Sequence, residues 1–288
     1  MRVYLIDGTY ELFRHYFAVP SHIAADGAEV GAVRGVLYSV LSLIRDGATH
    51  IGVATDHVVE SFRNEMWAGY KTGAGVAPEL MTQFPILEHA LSALGVAVWP
   101  MVEYEADDGL ASSAAQSAAY AEQVLICTPD KDLAQCVVGN HVVQFDRRKR
   151  AVLDEAAVIA KFGVAPGSIP DYLALVGDSA DGFPGLPGWG AKSAAAVLSK
   201  FAHIEAIPES VADWGIPLRG AAVLSQTLRQ QRELAMLFKD LATLRTTCDI
   251  DASADAIRWR GARSDFGDMA SYLGAPALAE MAAELAGQ

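Results

Sequence analysis

Four short apolar runs, VYLID (3–7), HIGVATD (50–56), VAVWP (96–100) and VLICTPD (124–130), alternate with helix-patterned stretches at roughly 31–46, 79–94 and 105–121. Runs this short and this evenly apolar do not alternate as half-exposed strands do; they need cover on both faces. Strands separated by helices supply that cover when the strands run parallel, so the pattern predicts an α/β fold. Its central sheet is mostly parallel, with helices on both faces. HVVQFDRR and KRAVLD add a strand or hairpin around the basic run Arg147-Arg148-Lys149-Arg150. Beyond about residue 165 the pattern changes. IPDYLALVG reads as helix, GDSADGFPGLPGWG as a glycine- and proline-rich loop, and AKSAAAVLSKF as helix again. The remainder is expected to be mostly helical, with LRQQRELAMLFKDLATLR its clearest amphipathic piece. The chain is therefore divided into a core at 1–165 and a helical region at 166–288.

Three of the four runs end in aspartate, namely Asp7, Asp56 and Asp130. In an open parallel sheet, ligands collect beyond the carboxyl ends of the strands. The stretch EYEADD (103–108) begins a helix directly after the third run and brings Glu105, Asp107 and Asp108 to the same edge. Asp132 follows Asp130 by two residues, and Asp178 and Asp181 lie in the glycine-rich loop. Any one of these acids reads equally well as a helix cap or turn residue. Nine together do not, because carboxylates sharing a cleft repel and raise one another's pKa. Hard divalent cations relieve that repulsion, and Mg²⁺ or Mn²⁺ suits an all-oxygen shell better than zinc. Two such ions about 3.5–4 Å apart stabilise the attacking and leaving oxygens of a phosphoryl displacement.

Charge and cysteines narrow the setting. The net charge of −13 is opposite in sign to the basic footprint of most nucleic-acid binders, although a carboxylate metal site would account for part of it. Cys127, Cys136 and Cys248 lack CxxC spacing, which suits reduced thiols rather than a zinc site. Without a membrane span or an export signal, the expected location is cytoplasmic. The loop Gly185-Leu-Pro-Gly188-Trp-Gly190-Ala-Lys192-Ser193 combines glycines, a helix start and a lysine, as a phosphate backbone would require. It is not a P-loop, since Ala191 separates glycine from lysine. A β-carbon at Gly188 or Gly190 is expected to push the backbone off the phosphate or forbid its dihedral.

The motifs DGTYELFRHYFA, FRNEMWAGYK, EADD, DKDLAQ, LALVGDSADGFPGLPGWGAKSA and LATLRT, in this order, resemble those of the 5′-nuclease superfamily. The chain is similar to the 5′→3′ exonuclease domain of bacterial DNA polymerase I and to free-standing bacterial flap endonucleases, from Asp7 to about Arg245. The resemblance implies a PIN-like, flap-endonuclease-like core with a helical arch near 60–85 and a helix–three-turn–helix element that grips duplex DNA. The family's metal carboxylates match Asp7, Asp56, Glu105, Asp107, Asp108, Asp130, Asp132, Asp178 and Asp181, of which Asp107 and Asp130 stand at the centre of the expected catalysis; Glu103 has no counterpart. Arg14, Arg63 and Lys71 match its cations near the scissile phosphate. The hairpin takes the place of one that in relatives also carries K⁺. Ala74 stands where the family has an arch arginine, Pro129 and Gly182 replace a glycine and an asparagine, and Trp189 replaces an aliphatic residue. With the acidic balance, the missing arginine implies salt-sensitive DNA binding or reliance on a partner.

The expected function is a two-metal 5′ nuclease acting on DNA flaps, nicks or gaps, including RNA-primer hybrids. It is expected to be a monomer without membrane contact, working beside replication or repair proteins. A PIN-like RNase is the first alternative, opposed by residues 166–288. A non-catalytic DNA-structure-binding module is the second, opposed by the intact carboxylates. Tyr70 and Trp67 are candidates both for base stacking and for core packing. His57, beside Asp56, reads as a surface or capping residue before a ligand.

Overall fold

The structure is a computed structural model that describes residues 1–287. It divides into two compact units: residues 1–59, 73–128 and the stretch from 245 onward, and residues 60–72 with 129–244. Residues 129–165 belong with the helical part, and the C-terminal stretch belongs to the first unit.

In the first unit β1 (Arg2–Asp7), β2 (His50–Asp56), β3 (Ala97–Met101) and β4 (Gln123–Cys127) run parallel in the order β3-β2-β1-β4. Asp7 pairs with Ala54, so the ends of β1 and β2 emerge at one edge. The fourth run stops at Cys127, which leaves Asp130 in the following turn rather than on the strand. Val3, Leu5, Ile51, Val53, Val124 and Ile126 are completely buried, as two-sided cover demands. Helix Ala106–Ser117 lies across all four strands; Gly8–Tyr16 and Gln83–Ala93 pack on β1, β2 and β3, and Gly31–Arg45 packs on those two helices. Small residues let Ala106–Ser117 sit close to the sheet: a β-carbon on Gly109 would come within 3.3 Å of Ala54 Cβ.

Residues 245–265 are not helical. Ile51 N–H donates to Ile257 O at 2.8 Å and Trp259 N–H to Thr49 O at 2.9 Å, so this stretch is tied to the first unit through backbone. The run CDIDASADAIRW is rich in short polar side chains that compete for backbone hydrogen bonds and favour turns over helix interiors.

In the second unit β5 (Val142–Asp146) and β6 (Ala151–Leu153) form an antiparallel hairpin. Helices Ile169–Val176, Ala191–Phe201, Ala221–Gln230 and Arg232–Ala242 enclose a core that includes Phe183, Trp189, Trp214 and Phe238. The piece read as one amphipathic stretch is two helices, broken at Gln231 (φ −119°, ψ 27°). No helix among the described residues is long and apolar enough to cross a membrane.

A buried carboxylate ties this unit together. Asp171, 0% exposed, accepts from Ile204 N–H at 2.8 Å and lies 2.9 Å from both His203 Nδ1 and Lys239 Nζ. Asp171→Ala leaves the Ile204 N–H without its acceptor and takes one of two carboxylates from Lys239, which keeps Glu205 at 2.8 Å, a loss of about 1–3 kcal/mol. Urea unfolding of the variant measures this directly, and a change well below 1 kcal/mol would mean that the carboxylate does not hold the unit together.

Candidate functional site

In the first unit, the acids at the sheet edge are held by backbone donors. Asp7 is buried; it caps helix Gly8–Tyr16 by accepting from Tyr10 N–H at 2.8 Å and accepts from Thr128 Oγ1 at 2.8 Å. Asp56 Oδ1 accepts from Ala106 N–H at 2.7 Å, at the start of the helix that carries the EADD motif. Glu105 is the N-cap of that helix and is buried, as is Asp108, whereas Asp107 is half-buried. Asp108 has one oxygen 3.0 Å from Glu105 N and the other 2.8 Å from Arg245 N. Both oxygens accept from backbone, so Asp108 orders the edge on which Asp107 and Glu105 stand. His57 pairs with Glu88 at 2.8 Å, which accounts for it without a metal.

In the second unit three acids meet. Asp132, Asp178 and Asp181 are buried, and one carboxylate oxygen of each lies within 4.8 Å of the others. Asp132 Oδ1 has no hydrogen-bond partner among the described residues. Burial, followed by the charges of Asp130, Asp181 and Asp178, holds the Asp132 carboxyl well above the usual carboxylate range. Asp130 is exposed and lies outside the trio; its Oδ1 accepts from Asp132 N–H at 3.1 Å. Two lysines face the trio, with Lys71 Nζ 3.0 Å from Asp181 Oδ1 and Lys131 Nζ 2.6 Å from Asp178 Oδ2. Burial opposes the charge of Lys131, but its bond to Asp178 and the charges of Asp178, Asp132 and Asp130 outweigh it and raise its pKa. Sequence reasoning missed Lys131, although its place between two candidate ligands was a signal.

The other cations differ in their settings. Arg14 is half-buried and pairs with the buried Glu11. Arg63 is 1% exposed, and its guanidinium donates to Leu241 O at 2.8 Å and Thr243 O at 3.2 Å. That makes Arg63 a strut within the second unit rather than an exposed cation. Tyr70 is 4% exposed within the apolar core, so its ring packs inward rather than offering a face to a base. The indole of Trp67 packs edge-on against Phe238 and donates to Gly182 O at 3.1 Å.

The hairpin lines an open cleft of 660 Å³ between Gly188, Gly190, Lys192 and Ser193 on one side and Leu218, Arg219 and Gly220 on the other. The second wall was not foreseen, because Arg219 and Gly220 lie outside every recognised motif. Lys192 is exposed, and Ser193 Oγ accepts from Gly190 N–H at 3.0 Å, closing the first turn of Ala191–Phe201. The dihedral expectation holds for Gly188 (φ 82°) and not for Gly190, whose φ of −149° suits any residue and whose β-carbon would meet open space. Of the three hairpin glycines Gly185 is the tightest: its φ is 70°, and a β-carbon would lie 2.4 Å from Gly177 N. Gly185→Ala is expected to destabilise by about 1–3 kcal/mol, while Gly190→Ala stays within about 0.5 kcal/mol of wild type. Thermal melts of the pair separate the two, and equal losses would refute the assignment of the tight approach to Gly185.

Residues 2–163 match the family model of the 5′-3′ exonuclease N-terminal, resolvase-like domain, and residues 164–265 that of the 5′-3′ exonuclease C-terminal SAM fold. DNA polymerase I of Pseudomonas aeruginosa is 36% identical over 263 residues, covering 88% of this chain and 28% of that protein. The chain spans 26–30% of the length of the first DNA polymerase I relatives. A 5′-3′ exonuclease of Aquifex aeolicus is 35% identical over 207 residues, 71% of each chain. The bacteriophage T5 flap endonuclease, solved with DNA and metal ions, shares the fold with a TM-score of 0.66 and 18% identity, covering 100% of both chains.

Proposed function

The chain belongs to the 5′-3′ exonuclease family, and on that premise we propose that it is a divalent-metal-dependent nuclease. It hydrolyses DNA phosphodiester bonds near a 5′ end or at the base of a 5′ flap. The observation that carries this reading is the trio Asp132, Asp178 and Asp181, with an oxygen of buried Asp132 left unpartnered among the described residues. A buried acceptor among three close carboxylates is costly unless a cation meets it, so the residues fit a hard divalent ion, Mg²⁺ or Mn²⁺. Asp132, Asp178 and Asp181 would hold such an ion, with Asp130 beside them. Asp7, Asp56, Glu105 and Asp107 would serve a second ion in the first unit, ordered by Asp108. When bound, these ions supply Lewis acidity toward phosphoryl oxygen and water.

The chain's own side chains do the rest. In the second unit Lys71 faces charge that develops on the scissile phosphate; in the first, Arg14 is a cation held by Glu11. Lys192 and the glycine-lined cleft receive duplex backbone phosphate, and K⁺ at that hairpin belongs to the same proposal. Arg63 and Tyr70, both buried, act as supports within the second unit rather than as contacts to DNA. The test is purified protein on end-labelled 5′-flap, nicked and single-stranded DNA with Mg²⁺, Mn²⁺ or EDTA. Cleavage close to the flap base that requires metal is expected. Metal-independent cleavage, or none on any substrate, would overturn the reading.

A further inference from the structure

Three carboxylates aimed at one point leave a net negative charge that something must balance, and the second unit carries a balancing group of its own. Lys131 stands between Asp130 and Asp132, and its ammonium lies 2.6 Å from Asp178 Oδ2, with its side chain 36% exposed. Lys71 meets Asp181 in the same way at 3.0 Å, whereas Asp132 has an oxygen without a partner among the described residues. One acid of the trio is therefore ready for a cation while another is engaged by a lysine that no catalytic role uses.

We infer that Lys131 is a positioning residue that competes with the divalent cation for Asp178 and so sets the affinity of this site. The inference rests on the metal reading of the trio above. Cation binding exchanges the Lys131–Asp178 ion pair for a carboxylate–metal contact, and the released ammonium turns to water. A lysine suits this exchange because it is a compact, strongly hydrated charge on a flexible stem. Its partial exposure keeps the pair weak enough to give way. Arginine in the same place would grip Asp178 through two parallel bonds and resist displacement.

The two substitutions thus pull in opposite directions. Titration of the full chain with Mn²⁺ alone, followed by calorimetry, identifies the site as the binding class that vanishes in Asp132→Asn. For that class Lys131→Met is expected to tighten Mn²⁺ binding by about tenfold, since a cation close to the ion is removed, and Lys131→Arg to weaken it. Melting curves give a second readout: Lys131→Met lowers the melting temperature in EDTA and enlarges the rise on adding Mn²⁺. Lys131→Gln, which keeps polarity without charge, should follow Lys131→Met if the latter is poorly folded without metal. Unchanged Mn²⁺ affinity in both neutral variants would overturn the inference and leave the metal site standing. If no class vanished in Asp132→Asn, the metal reading would fall and the inference with it.

Discussion

Asparagine at position 132 is expected to lower phosphodiester cleavage by about a thousandfold or more while raising the melting temperature of the metal-free protein. Asp132 is 5% exposed, sits with Asp178 and Asp181, and leaves one oxygen unpartnered among the described residues. The amide keeps the side chain's size, removes one charge from a repelling group, and offers an N–H to its neighbours. What it cannot do is neutralise a divalent ion. The same environment raises the Asp132 pKa in the folded state, whereas an unfolded aspartate titrates at about 3.9. Above about pH 4 the unfolded chain releases a proton that the folded protein still holds, so this residue's contribution to stability falls as pH rises. Asp132→Asn lacks that decline. The stability gap between variant and wild type in EDTA should open as pH rises and close in acid. Single-turnover cleavage at saturating Mn²⁺ and melts across pH check the two halves, and near-normal turnover by the variant would sink the assignment of Asp132 as a ligand.

Lys71→Ala should reduce turnover by about a hundredfold or more while leaving duplex affinity little changed, because a cation at the reacting phosphate counts most where charge develops. Its ion pair with Asp181 adds a condition. Removing Lys71 also changes the charge around the metal trio, so the comparison belongs at saturating metal. Under that condition a variant that lost DNA binding but kept its rate on bound substrate would mark Lys71 as a docking residue. Should the defect disappear as metal is raised, Lys71 would be a second counter-ion of the cluster and not a partner of the phosphate.

These predictions draw on different depths of the sequence. The four parallel strands were legible because an unbroken apolar run of five to seven residues is a local signal, and β2 matches its predicted span residue for residue. Helix Ala191–Phe201 was as clear, since a glycine precedes it and its apolar positions recur at helical spacing. Less clear were segments whose conformation depends on what they touch. The break at Gln231 interrupts a stretch whose periodicity reads straight through. Residues 245–265 follow hydrogen bonds to Thr49 and Ile51 rather than any period of their own.

The sequence by itself determined the chemistry available to this protein: which acids end the strands, which lie in the glycine-rich loop, and which lysines stand near them. These are properties of neighbouring residues, and spacing along the chain expresses them. Only the tertiary structure decided how those residues are used. It buried Arg63 against Leu241, 178 positions away, and gave Asp108 to backbone donors that include Arg245, 137 positions away. It also paired Lys131 with Asp178 and, among the described residues, left one oxygen of Asp132 without a hydrogen-bond partner. Such pairings depend on which surfaces meet when the core closes. Burial then sets the strength of every charge it encloses, and no local pattern records which partner that closure will supply.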